Sequence, residues 1–149
     1  MKRDYPERPI IAVGAVIVDQ GRFVLVQRGT EPHKGEWTIP GGMLESGETL
    51  HQAVIREAKE ETSLGVKPIA LLEVFERIIR NEAGQVQFHY VIMDYLCRVI
   101  NGTLCAGQDA ADARWLRPAD LQALQVTEGT IRVLNKAFSA YENSLSSGL

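Results

Sequence analysis

Apolar and polar residues follow two rhythms along this chain. Residues 10–18 form an almost unbroken apolar run rich in β-branched side chains, the pattern of a buried strand. Asp19, Gln20, Gly21 and Arg22 interrupt it as a turn, and residues 23–27 resume, which predicts a hairpin. Residues 29–35, with Pro32 and His33, read as loop. Residues 37–40 form a short extended piece, broken by Pro40, Gly41 and Gly42. From Thr49 to Leu64 the period lengthens to that of a helix. Thr49 and Gln52 make a capping box at its start, and Gly65 and Pro68 mark its end. Residues 67–80 and 86–100 are strand-rich and separated by a turn at residues 81–84. Asn101 and Gly102 give a second turn signal. Residues 106–114 read as a polar, Ala-rich loop before a short extended Trp115 and Leu116. Pro118 starts a short helix. Residues 130–145 form a last helix with Ile131, Leu134, Ala137, Phe138 and Tyr141 on one face.

This order predicts an α/β domain, a mixed sheet covered by helices on each face. At 149 residues the chain fits one domain, with residues 1–9 as a loose arm and residues 144–149 as a frayed tail. The net charge of -3 argues against a polynucleotide partner but not against a small anion, since a bound cation supplies positive charge locally. No secretory segment and no long apolar run is present, so the expectation is a cytoplasmic protein with no membrane partner. Cys97 and Cys105 match no zinc spacing and read as reduced thiols.

The helix from Thr49 carries its charges in an unusual place. Glu57, Glu60 and Glu61 fall within one arc of about 100°, in the same broad sector as Leu50, Ala53, Val54 and Leu64. Like charges this close repel, and partial burial raises the cost. A hard divalent cation such as Mg²⁺ against them resolves the conflict, because it prefers carboxylate oxygens and can bridge to a substrate diphosphate. Gly41 and Gly42 let the preceding backbone approach a ligand. Arg56, on a neighbouring flank, is placed to pair with Glu48 or Glu60. A solvated, salt-bridged helix face is the plainer alternative.

Gly42, Glu48, Arg56, Glu57, Ala58, Glu60, Glu61, Ser63 and Leu64 stand at the spacing of the Nudix hydrolase signature, and the segment from Trp37 to Gly42 looks like that family's entry loop. The chain thus resembles Nudix hydrolases, small ADP-ribose pyrophosphatases and MutT-like members in particular. Ser63 departs from the pattern, which has glycine there, and Gly65 is placed to take over part of its chain-turning role. The resemblance implies an α/β/α sandwich and metal ligands at Glu57, Glu60 and Glu61, joined by the Gly42 carbonyl. It casts Glu48 and Arg56 as groups that orient those ligands. It implies Mg²⁺ as cofactor, with Mn²⁺ as a substitute. The water-activating base is Glu57 or a loop carboxylate, Asp109 or Asp112. Arg28 and Arg77 are candidates to meet phosphate, and Trp37, Phe75 and Tyr90 to stack on a base. The end of the chain, from Gly107 through Leu121, looks similar to ADP-ribose pyrophosphatases, implying cleavage of ADP-ribose to AMP and ribose 5-phosphate. Two alternatives stay open: a nucleoside triphosphate pyrophosphohydrolase, and a noncatalytic nucleotide-binding module. A homodimer is also expected from the apolar stretches at residues 69–74 and 89–96.

Overall fold

The computed structural model describes residues 2–30, 33–126 and 128–146. Its centre is β1 (Ile10–Asp19), in which every position from Ala12 to Val18 is buried. Gln20 and Gly21, both at positive φ, turn β1 into antiparallel β2 (Arg22–Arg28). This is the hairpin expected from the sequence. Two short strands follow, β3 (Trp37–Thr38) against β2 and β4 (Gly41–Met43) against the first half of β1.

Helix α1 (Leu50–Thr62) starts where the capping box predicts: the Gln52 N–H donates to Thr49 Oγ1 at 3.1 Å and the Thr49 N–H to Gln52 Oε1 at 2.9 Å. The chain then runs into two sixteen-residue strands, β5 (Gly65–Arg80) and β6 (Val86–Asn101), paired antiparallel. β6 lies parallel to β1, which makes the sheet mixed. β7 (Ala110–Leu116) pairs with β2. A 3₁₀ turn (Pro118–Ala123) leads to α2 (Glu128–Ser146). The sheet order is β3-β2-β1-β6-β5, with β4 on β1 and β7 on β2.

Alternation along β1 divides the core in two. Val13, Ala15 and Ile17 meet Ala53, Val54 and Ala58 of α1, whereas Val16 and Val18 meet Val133, Leu134 and Ala137 of α2. The expected α/β/α layering is therefore the observed one. No helix among the described residues is long and apolar enough to cross a membrane.

Four expectations need correction. Residues 110–114 are strand rather than loop, because the β2 backbone recruits an Ala-rich segment with little strand preference of its own. Ile131 is exposed, since it lies about 100° round α2 from Thr130, which opens the buried stripe through Val133, Leu134 and Ala137. The N-terminal arm is tied down: the Tyr5 N–H donates to the Gln87 carbonyl at 2.7 Å, and Asn81 Nδ2 donates to the Tyr5 hydroxyl. Residues 144–146, expected to be frayed, are helical, as α2 runs through Ser146; residues 147–149, like Pro32 of the early loop, lie outside the described residues.

Candidate active site

One face of α1 and the loop before β7 enclose a cleft of about 310 Å³, lined by Glu57, Glu60, Glu61, Gly107, Gln108, Asp109 and Ala110. Three of these are the carboxylates singled out from helical spacing. The loop is held against the helix by backbone contact, with the Gly107 N–H donating to the Glu61 carbonyl at 3.0 Å. A side chain at Gly107 would run into the Glu60 carbonyl, so glycine is required for the approach.

Arg56 organises the helix face. Its Nε and Nη2 donate to the two oxygens of Glu48 at 2.7 and 2.9 Å. Its Nη1 donates to Glu57 at 2.7 Å and to Glu60 at 3.3 Å, and Nη2 also donates to the Met43 carbonyl at 3.0 Å. One planar guanidinium thereby ties α1 to β4 and to the turn before the helix. Glu48 is held down to about 2 by these bonds and by the Glu45 N–H. Gly42 packs directly beside the Glu57 carboxylate, in space any Cβ would occupy.

Glu61 lines the same cleft. Its carboxylate accepts the Gly41 N–H at 3.1 Å, and burial pushes it up to about 7 against that bond, with Glu57 and Asp109 adding repulsion. Arg28, at the end of β2, is near enough to counter part of this. Burial raises Glu57 as well, opposed by Arg56. The arrangement is a pair of half-buried, proton-avid carboxylates with Glu60 more exposed beside them. Among the described residues no three such groups converge as a ready-made metal cage, since Arg56 holds Glu57 and Glu60 while Gly41 holds Glu61. The donor chemistry still fits a hard divalent cation: oxygen ligands alone, like charges facing one cleft, and two carboxylates that burial penalises until a cation compensates them.

The remaining candidates divide. Asp109 lines the cleft. Asp112 does not; it sits in β7 opposite Gln27 and accepts from Arg114 Nε at 2.9 Å. Trp37 is 4% exposed in the α2-side core with the Arg114 guanidinium 4.9 Å over its ring, so it has no free face to offer a base. Phe75, Arg77 and Tyr90 share one face of the β5–β6 ladder, where Arg77 and Tyr90 are register partners. Arg132 stands 5.7 Å over the Phe75 ring, Arg77 touches His33 at 3.2 Å, and Tyr90 stacks with Phe88. Ser63, not Gly65, turns the chain after α1: it takes the left-handed conformation at φ 65, whereas Gly65 already belongs to β5. Sequence reasoning missed Gly107 as the packing point of the cleft. It also missed Asp94, although a lone acid inside an apolar strand run was a readable signal.

The model of the NUDIX domain matches residues 8–137. This chain belongs to the Nudix family. The Nudix chain is 38% identical over 107 residues to the ADP-ribose pyrophosphatase of Methanocaldococcus jannaschii, a match covering 72% of this chain and 61% of that protein. It is 31% identical over 100 residues to the 8-oxo-dGDP phosphatase NUDT18 of Mus musculus, covering 67% of this chain and 28% of that one. Both matches span less than two thirds of the relatives' length. Among solved structures, the MutT NUDIX hydrolase from Burkholderia pseudomallei superposes with a TM-score of 0.75 at 30% identity, covering 87% of this chain and 98% of that one.

Proposed function

We propose that this chain is a Mg²⁺-dependent hydrolase that cuts the diphosphate linkage of a nucleoside diphosphate derivative, with ADP-ribose as its substrate and AMP and ribose 5-phosphate as products. The observation that carries this reading is the cleft in which Glu57, Glu60, Glu61 and Asp109 face one another on the Nudix helix and the loop beside it. Glu57, Glu60 and Glu61, with the Gly42 carbonyl, are the groups that would hold the cation. Mg²⁺, or Mn²⁺ in its place, when bound offsets charge on the phosphoryl oxygens and lowers the pKa of a coordinated water. Arg56, itself gripped by Glu48, holds Glu57 and Glu60 in place. Asp109, which lines the cleft, takes the proton from the attacking water in this reading, and Asp112 is committed to Arg114. Arg28 is close enough to Glu61 to act on its charge, and in this reading it meets a substrate phosphate. ADP-ribose is favoured because the relative named ADP-ribose pyrophosphatase shares 38% identity over most of this chain.

A nucleoside di- or triphosphate substrate is the second reading, favoured by the likeness to NUDT18. Product analysis separates the two. Incubation with Mg²⁺ and ADP-ribose, sugar nucleotides, plain and oxidised nucleoside triphosphates and diadenosine polyphosphates, followed by chromatography, should give AMP from ADP-ribose at the highest kcat/KM. Pyrophosphate release from a triphosphate as the best reaction replaces the substrate and keeps the cleft. Silence across the set favours a noncatalytic module.

A homodimer belongs to the same proposal. β5 is an edge strand, and Leu71, Val74 and Ile78 on it are about half exposed at 51%, 53% and 48%. Such an edge is a pairing surface. A molar mass twice that of the 16.5 kDa chain at micromolar concentration is expected, and a strictly monomeric mass rejects it.

A further inference from the structure

Asp94 is a carboxylate that the proposed chemistry leaves unused. It interrupts an apolar run of β6, between Met93 and Tyr95. Its register partners are Gly14 on β1 and Glu73 on β5. A Cβ on Gly14 would collide with Asp94 Oδ1 and touch Ile39, so the carboxylate lies folded over a bare α-carbon. Glu73 is answered by Arg132 at 3.0 Å and Lys136 at 3.7 Å. Asp94 has no such answer: among the described residues it makes no hydrogen bond or ion pair, and burial and the Glu73 charge push it up to about 6. Its oxygens are not sealed off, for the residue is only partly buried and leaves no fully enclosed orphan atom.

A half-buried, unpaired carboxylate weakens a fold. Asn or an aliphatic residue would fill this place at lower cost, so the acid points to a partner outside the chain. Its surroundings describe that partner. Alternation along β5 and β6 sets Asp94 on the same face as Phe75, Arg77 and Tyr90. α2 borders this face through Arg132, and the loop containing His33 borders it through Arg77. Aromatic rings, cations and one free acceptor thus share one face of the sheet. Asp94, Gly14 and Gly41 are successive register neighbours across β6, β1 and β4, which puts Asp94 about 10 Å from Gly41 at the usual strand spacing. Gly41 in turn holds Glu61 of the cleft. Asp94 faces the α2 side of the sheet and the carboxylate cleft lies on the α1 side, so a nucleotide spanning that separation has to pass over the β4 edge.

We infer that Asp94 is a specificity-determining residue, whose carboxylate accepts hydrogen bonds from donors on the nucleoside end of the substrate while the diphosphate lies at the α1 cleft. The inference rests on the hydrolase reading of that cleft. The donors are ribose hydroxyls or an exocyclic amine. A site built to accept them discriminates, because a substrate lacking the donor leaves the half-buried acid unpaired.

The test compares wild type, Asp94→Asn and Asp94→Ala on ADP-ribose, its 2′-deoxyadenosine analogue, its inosine analogue and dATP, with KM and kcat read separately. Both variants should raise KM for ADP-ribose by about tenfold or more and leave kcat within about threefold. The analogue lacking the contacted donor should show no further rise in the variants, which tells hydroxyl from amine. Asp94→Asn should also melt higher than wild type at alkaline pH, as the unpaired charge is gone; a purely structural aspartate would make it melt lower. Unchanged KM on every substrate in folded variants overturns the assignment, as does the lower melting temperature. If wild type cleaves only dATP, the ADP-ribose reading fails while Asp94 is judged by the dATP KM. Inactivity of wild type on all four overturns both.

Discussion

Ser63 ends α1 at φ 65, in a backbone region where a Cβ is costly, and its hydroxyl donates to the Cys105 carbonyl at 3.1 Å. The family signature has glycine there, for which that conformation carries no Cβ penalty. The serine therefore trades backbone strain of about 1 kcal/mol against a net hydrogen bond of about the same size. Ser63→Gly should leave stability to urea within about 1 kcal/mol of wild type, whereas Ser63→Val, β-branched and without the hydroxyl, should lose about 1–2 kcal/mol. Equal stability of the valine variant would mean the cap is not strained. The serine was visible in the sequence as a departure from the signature. Its conformation was not, because Gly65 two residues on offered an equally good stopping point by composition alone.

At the scale of elements, α1 with its entry turn behaves as a single unit. Arg56 carries this unit, binding Glu48, Glu57, Glu60 and the Met43 carbonyl from one guanidinium. A lysine cannot fork to these acceptors. Arg56→Lys should cost about 1–3 kcal/mol of stability and lower turnover or metal affinity about 10–100-fold, measured by urea unfolding and by Mg²⁺ titration of activity. Wild-type metal affinity in a folded variant would reduce Arg56 to a structural tie. Much of this unit was legible beforehand: Thr49 and Gln52 announce the cap, and carboxylates in line with Ala53 and Val54 announce the cleft. β7 was hidden, because Ala110, Ala111 and Ala113 have weak strand preference and only pairing with β2 makes them extended. Trp37 was misread as a stacking candidate, since a tryptophan beside a glycine-rich loop looks the same in sequence whether it faces a ligand or the core.

For the whole molecule, the cleft sets a link between metal, pH and stability. Burial lifts Glu61 in the metal-free fold to about 7, above the 4.5 of an ordinary glutamate. A carboxyl raised on folding favours the protonated native state. Metal-free stability therefore declines as pH rises from about 4.5 and the loss is complete above about 7. A cation that binds the ionised carboxylates reverses this. Mg²⁺ should raise the melting temperature by several degrees at pH 8 and by clearly less at pH 6, and chelation should erase the gain. A Mg²⁺ shift independent of pH would place the cation away from Glu61.

The most direct test of the cleft as the seat of catalysis is the turnover of Glu61→Gln. This change keeps the shape of the side chain and an acceptor for the Gly41 N–H, and removes only the charge. With Mg²⁺ and ADP-ribose, kcat should fall by about 100-fold or more while the melting temperature in metal-free buffer at pH 8 holds or rises. Near wild-type turnover from the folded variant would take Glu61 out of the metal site and contradict the account.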